Sequence, residues 1–167
     1  PSIEYAEEVE NLRSLANGYA IHADILIDLK RIEEAEASLN KALAIRKKIG
    51  DMFYVLSDMY QLSLFYSNVK QCEKGIQIAK EGIVLASNMN ISSKLLLLHE
   101  ALASNYKSCD DKVGYIAELE HISHLKDSIN TKVSASALAE MSAKYELEEK
   151  EQQIQEQEFL LTKRNYI

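Results

Sequence analysis

The sequence is short of everything that interrupts a helix. Its 167 residues hold one Pro and five Gly, with no Trp. A chain with so few breakers is expected to be helical throughout. It also lacks any apolar run approaching the ~18–20 residues a membrane-spanning helix needs, so no direct membrane insertion is expected of this stretch. No secretory leader opens it. The chain starts at Pro1 without a Met and reads as a segment of a longer protein. Positive charge is in deficit, with 19 Lys and Arg against 26 Asp and Glu, a formal charge of −7. A nucleic-acid binder draws most of its affinity from a basic stripe, and an anionic membrane surface asks for the same. Both partner classes are set aside.

Chemical motifs are missing too. There is no Gly-rich dinucleotide or phosphate loop, no HExxH and no nucleophile elbow. No constellation supports an enzyme, and no cofactor is implied. Cys72 and Cys109 show no metal-ligand spacing and leave the redox compartment open.

What is present is 47% hydrophobic residues, and they are ordered. Ala35, Gly75 and Tyr115 lie forty apart. So do Leu39, Ala79 and Leu119; Ala42, Gly82 and Ile122; Leu26, Tyr66 and Tyr106; and Ala23, Ser63 and Ala103. Ile45, Leu85 and Leu125, then Ile49, Met89 and Ile129, keep the same step. Size and polarity recur while the letters change. A period of this length is the signature of a helical solenoid. Each copy holds two helical patterns, the first carrying Leu15, Tyr19, His22, Ala23, Leu26 and Leu29, the second Ala35, Leu39, Ala42, Leu43 and Ile45. Asn11, Gly50–Asp51 and Asn88–Asn90 supply turn or cap residues. The small columns have a packing reason: two antiparallel helices approach closely only where side chains are small.

In its columns this skeleton resembles the tetratricopeptide repeat. Tyr19, His22–Ala23, Leu26, Ala35, Leu39 and Ala42 match in the first copy. Met59, Leu62–Ser63, Tyr66, Gly75, Ala79 and Gly82 match in the second, and His99, Leu102–Ala103, Tyr106, Tyr115, Leu119 and Ile122 in the third. Tyr115 in a small-residue column implies a splayed or repacked third hairpin. The usual closing Pro is replaced by Lys47, Ser87 and Asp127. The resemblance implies an all-α, right-handed solenoid of antiparallel hairpins with a long C-terminal helix. On this reading residues 1–9 end a preceding repeat, 10–50, 51–90 and 91–129 are repeats, and 130–167 form a capping or coiled-coil helix.

The tail is rich in Glu, Gln and Lys, all strong helix formers, and one long helix is expected from about Ser128. Leu147, Ile154 and Leu161, seven apart, form a sparse seam for a homodimer. HLKDSI followed by ALAEMSAKYELEEKEQQIQ resembles the exit from the repeat array in bacterial membrane-anchored sensor proteins, whose output is a histidine kinase or helix-turn-helix domain. That resemblance implies a sensing region facing the periplasm.

In this architecture partners bind the concave face, lined by each copy's first helix. The matched columns place Asn17, Ala20, Asp24 and Asp28 there from the first copy, and Ser57, Tyr60, Leu64, Ser67 and Asn68 from the second. The third adds Glu100, Ser104, Lys107 and Ser108. Chaperone-binding relatives hold a C-terminal carboxylate with Lys and Asn at positions occupied here by Ala20/Asp24, Tyr60/Leu64 and Glu100/Ser104, so an acidic tail is a poor fit. A basic or amphipathic protein or peptide fits better. The same positions also read as plain solvated surface. His99 lies in a core column, although HEAL is superficially similar to a kinase phosphoacceptor box. His22 reads as a core histidine, and His121 and His124 as a solvated or partly packed pair without a third metal ligand. Cys72 and Cys109 read as reduced thiols, since neighbouring copies usually hold such positions too far apart to bridge. Two functions remain open: a sensory and oligomerisation module acting through the C-terminal helix, and a soluble scaffold, in the cytoplasm, whose long helix is only a cap.

Overall fold

The computed structural model describes residues 2–165, and side chains within 7–148, 150–151 and 153–155. In chain order the helices are α1 (Ser2–Asp28), α2 (Ile32–Ile49), α3 (Met52–Asn68), α4 (Cys72–Asn88), α5 (Ser92–Ser108) and α6 (Lys112–Asn165). No strand occurs among the described residues. Links of two or three residues join the helices, short enough to make sequence neighbours antiparallel.

The turns repeat as regularly as the core. Lys30, Gly50, Lys70, Asn90 and Asp110 all have positive φ, between 55° and 73°. They sit twenty residues apart, so each helix ends at the same phase. The hydrogen bonds repeat as well. The Lys70 amide donates to the Ser67 carbonyl at 3.2 Å and the Gln71 amide to that of Tyr66 at 2.9 Å, the paired bonds of a Schellman stop. Only Gly50 reaches that backbone region free of a Cβ penalty; a side chain there costs about 1–2 kcal/mol. At the first four turns, residues buried on both sides offset that cost.

The next members of that series would be Glu10 and Asn130, and neither turns. The break expected near Asn11 is absent, because α1 is continuous from Ser2 to Asp28. Residues 2–9 are thus continuous with the first helix of the first hairpin. Likewise α6 begins at Lys112, not near Ser128, and runs unbroken through Asn130. From 126 to 148 only Ile129 is even half-buried, so no burial rewards a left-handed stop, and the Ala-, Glu- and Lys-rich sequence continues as helix.

The chain divides into two compact units, Pro1–Leu125 and Lys126–Ile167. The core of the first joins Ala23, Leu26, Ala35, Leu39 and Leu43 of the first hairpin to Val55, Leu56, Met59, Leu62, Phe65 and Tyr66 of α3, with Ala86 and Leu98 beyond. The small columns lie at the close approaches. A Cβ on Gly82 would come within 2.7 Å of Leu98 Cδ2, and one on Gly75 would overlap the Asn105 side chain. Asn105 is wholly buried and donates from Nδ2 to the Ser63 carbonyl at 3.0 Å and to that of Ala101 at 2.9 Å.

The third hairpin is repacked, as Tyr115 implies. Tyr106 packs over Gly114, and Leu119 is 45% exposed whereas Leu39 and Ala79 are buried. The first helix also departs from the pattern. Leu15, Ile25 and Leu29 are about half exposed, and His22 is exposed, not in the core as expected. Their counterparts Val55, Leu62 and Phe65 are buried in the shared core, because the first hairpin covers them. Nothing among the described residues covers that side of α1. His22 Nδ1 meets Ser38 Oγ at 3.1 Å.

In the second unit α6 leaves Val133, Leu138, Met141, Tyr145, Leu147 and Ile154 each more than half exposed.

Candidate functional site

Most of the polar residues expected on the concave face fall into three groups, with Asn17 apart. Ser67 and Ser104 are spent on packing. Ser67 Oγ donates to the Ser104 carbonyl at 3.0 Å and lies 2.8 Å from Ser104 Oγ. Ser108 Oγ donates to the Ser67 carbonyl at 2.9 Å. These hydroxyls tie α3 to α5 and offer a partner little. Tyr60 and Glu100 are half-buried neighbours, and burial followed by the Glu100 charge raises the Tyr60 phenol above its ordinary value. Asp24, Asp28, Asn68 and Lys107 are exposed, and Lys107 Nζ stands 5.9 Å over the Tyr115 ring. Leu147 and Ile154 are 58% and 55% exposed; the side chain of Leu161 lies outside the described residues.

Asn17 belongs to a different arrangement. Its Oδ1 accepts a 2.7 Å bond from Nη2 of Arg46, which projects from the last turn of α2. Arg46 is 6% exposed and Asp58 2%; Nη1 of the one donates to Oδ1 of the other. The guanidinium also sits 5.0 Å over the Tyr54 ring. Further out, Arg13 Nε donates to Asp51 Oδ2 at 3.1 Å, and Arg13 Nη1 is 3.8 Å from Glu10. Glu10, Arg13, Asn17, Arg46, Asp51 and Tyr54 line a pocket of about 410 Å³. Asp58 Oδ2 is buried with no hydrogen-bond partner. Burial pushes the Asp58 carboxyl up to about 6, against the downward pull of Arg46.

None of Arg13, Arg46, Asp51, Tyr54 or Asp58 was expected at a site from the sequence. A signal was there: Arg46 and Asp58 stand in columns where the next copy has Ala86 and Leu98, both buried.

The cysteines require a correction. Cys72 and Cys109 form a disulfide, with Cα atoms 5.8 Å apart, and are not reduced thiols. Cys72 opens α4 and Cys109 follows α5, so the bridge joins the turn ends of successive hairpins. Their counterparts one copy earlier, Ile32 and Val69, both pack against the core. The repeat geometry thus brings these columns together, and in the second interface the contact is covalent.

The histidines sit in ordinary contacts. His99 Nδ1 lies 2.6 Å from Glu118 and its ring stacks on His121 at 5.8 Å. Among the described residues no three His, Cys, Asp or Glu side chains are placed to hold a metal ion.

The folded chain is similar to crystal structures of Podosopora anserina putative kinesin light chain nearly identical TPR-like repeats. One matches with a TM-score of 0.62 at 15% identity, over 70% of this chain and 57% of that one. A single-substitution variant gives 0.63 at 16%, over 71% and 57%. This chain spans little more than half the length of those structures, and the likeness is one of fold. No family model matches the sequence, and no curated protein does. The fold is TPR-like, all-helical, with a long C-terminal helix.

Proposed function

We infer that the chain is the sensing and interaction region of a bacterial membrane-anchored signalling protein, of the histidine-kinase or helix-turn-helix output type. The observation that carries this reading is α6, which starts inside the third hairpin and continues without a break to Asn165. A helix shared by the repeats and the tail has no joint at which a change in the third hairpin would be lost. Partner binding would thus bias its rotation or register. The partner on the concave face is a basic or amphipathic protein or peptide, matched by Asp24, Asp28 and Glu100. The exposed Leu147 and Ile154, with Leu161, form the seam through which two copies pair.

The disulfide supports an oxidising compartment, since such bridges are rare where thiols are kept reduced. This favours the periplasm over the cytoplasm. The test is the parent gene beyond the codon for Ile167. A stretch of about twenty apolar codons followed by a kinase or helix-turn-helix domain is the expected result. A stop or a polar continuation overturns the membrane-anchored reading and leaves a scaffold.

A further inference from the structure

The two interfaces between successive hairpins occupy the same place in the repeat, and they are built in opposite ways. Stepping forty residues from Arg13, Asn17, Arg46, Asp51, Tyr54 and Asp58 leads to Phe53, Ser57, Ala86, Ile91, Lys94 and Leu98. In that second interface Leu98 and Ala86 are fully buried, and Lys94 closes the edge. Its Nζ donates to Ser57 Oγ at 2.6 Å and stands 4.2 Å over the Phe53 ring. So at these positions the architecture uses apolar side chains and one capping lysine. In the first interface it carries instead a buried ion pair, a second arginine and an open pocket. A buried ion pair is weak support for stability, and an apolar replacement is often as stable or more so. Packing alone does not explain the polar version.

The lining states what it would hold. Arg46 spends one N–H on Asp58 and one on Asn17, leaving the rest of its donor fork for a ligand. Arg13 spends Nε on Asp51 and lies only loosely beside Glu10. Both guanidiniums suit a carboxylate. Glu10 and Asp51 offer acceptors to an ammonium. Two positive and two negative groups line the pocket, so a ligand of one sign meets as much repulsion as attraction. A ligand carrying both signs is complementary to all four. The volume is in the range of small-molecule sites.

We propose that the pocket between α1, the end of α2 and the start of α3 binds a free α-amino acid or a zwitterion of that type, its carboxylate on Arg13 and Arg46 and its ammonium on Glu10 and Asp51. The site is independent of the signalling role inferred above and stands or falls without it.

The test is thermal unfolding and calorimetric titration of the intact chain with the common amino acids, each at up to about 10 mM, beside their N-acetyl and C-amide forms. At least one free amino acid should raise the melting temperature, and both blocked forms should fail to. Arg13→Gln and Glu10→Gln alter exposed side chains outside the core, and each should weaken that binding about tenfold or more. Wild-type melting temperatures in both variants, without added ligand, exclude misfolding as the cause. The proposal is overturned if no free amino acid binds, if a blocked form binds as well as the free one, or if either variant binds like the wild type.

Discussion

At the residue scale, identical substitutions have opposite effects because the space around each glycine differs. Gly18 lies in α1 with nothing within 4 Å of an added Cβ. There Gly→Ala removes only the helix penalty of glycine, so Gly18→Ala should stabilise the protein by about 0.5–1 kcal/mol. At Gly82 the added Cβ meets the wholly buried Leu98 at 2.7 Å. Overpacking of this sort costs about 1–3 kcal/mol and outweighs the helix gain, so Gly82→Ala should destabilise. Urea titrations of the two variants check both signs. Asp58 makes a pH-dependent prediction. Its folded-state value of about 6 is above the ordinary 3.8, so the native state binds the proton more tightly than the unfolded chain. Its contribution to stability therefore grows as the pH falls from about 6 to about 4. Asp58→Asn has no such contribution. The stability gap between wild type and variant should widen from pH 7 to about pH 4; an unchanged gap would mean that the carboxyl titrates alike in both states.

At the scale of elements, one covalent bond holds the second and third hairpins together at their turn ends. The bridge closes a separation of 37 residues, for which the chain-entropy account gives about 4 kcal/mol at 25 °C. Replacing both Cys72 and Cys109 with Ser should lower stability by about 2–4 kcal/mol in chemical denaturation. A thiol reductant should do the same to the wild type and leave the double variant unaffected. If the reductant shifts both proteins equally, the bridge is not the source of the effect. The ends of the helices respond to a different control. Five stops recur with the same hydrogen bonds, whether the left-handed residue is Gly50, Asn90 or a Lys or Asp. The stop geometry is thus the same for every residue type, and the residue at the turn sets its cost.

At the scale of the whole molecule, the tail and the repeats can be separated by experiment. Leu147 and Ile154 are more than half exposed, and exchanging them and Leu161 for Ser tests whether the seam supports the Pro1–Leu125 unit. Its unfolding should stay within about 0.5 kcal/mol of wild type, while pairing of the chains in sedimentation should be lost under the proposed function. An equal loss of stability in the repeats would instead make the helix a cap on them.

The linear sequence determined the all-helical fold, the forty-residue period, the small columns at Ala35, Gly75, Ala42 and Gly82, and the disturbance at Tyr115. These properties follow from residue size and polarity in order along the chain, and helix periodicity is a local rule. Tertiary structure alone decided the rest. The Cys72–Cys109 bridge depends on the distance between two hairpin ends, which no spacing records. The pocket of Glu10, Arg13, Asn17, Arg46, Asp51 and Tyr54 draws on α1, α2, α3 and the turn before α3, and its polar groups meet only after the hairpins stack. The same holds for the unbroken α1 and α6. The chain turns at Lys30, Gly50, Lys70, Asn90 and Asp110 and not at Glu10 or Asn130, and around Asn130 the described side chains are almost all exposed, so a turn there would bury nothing.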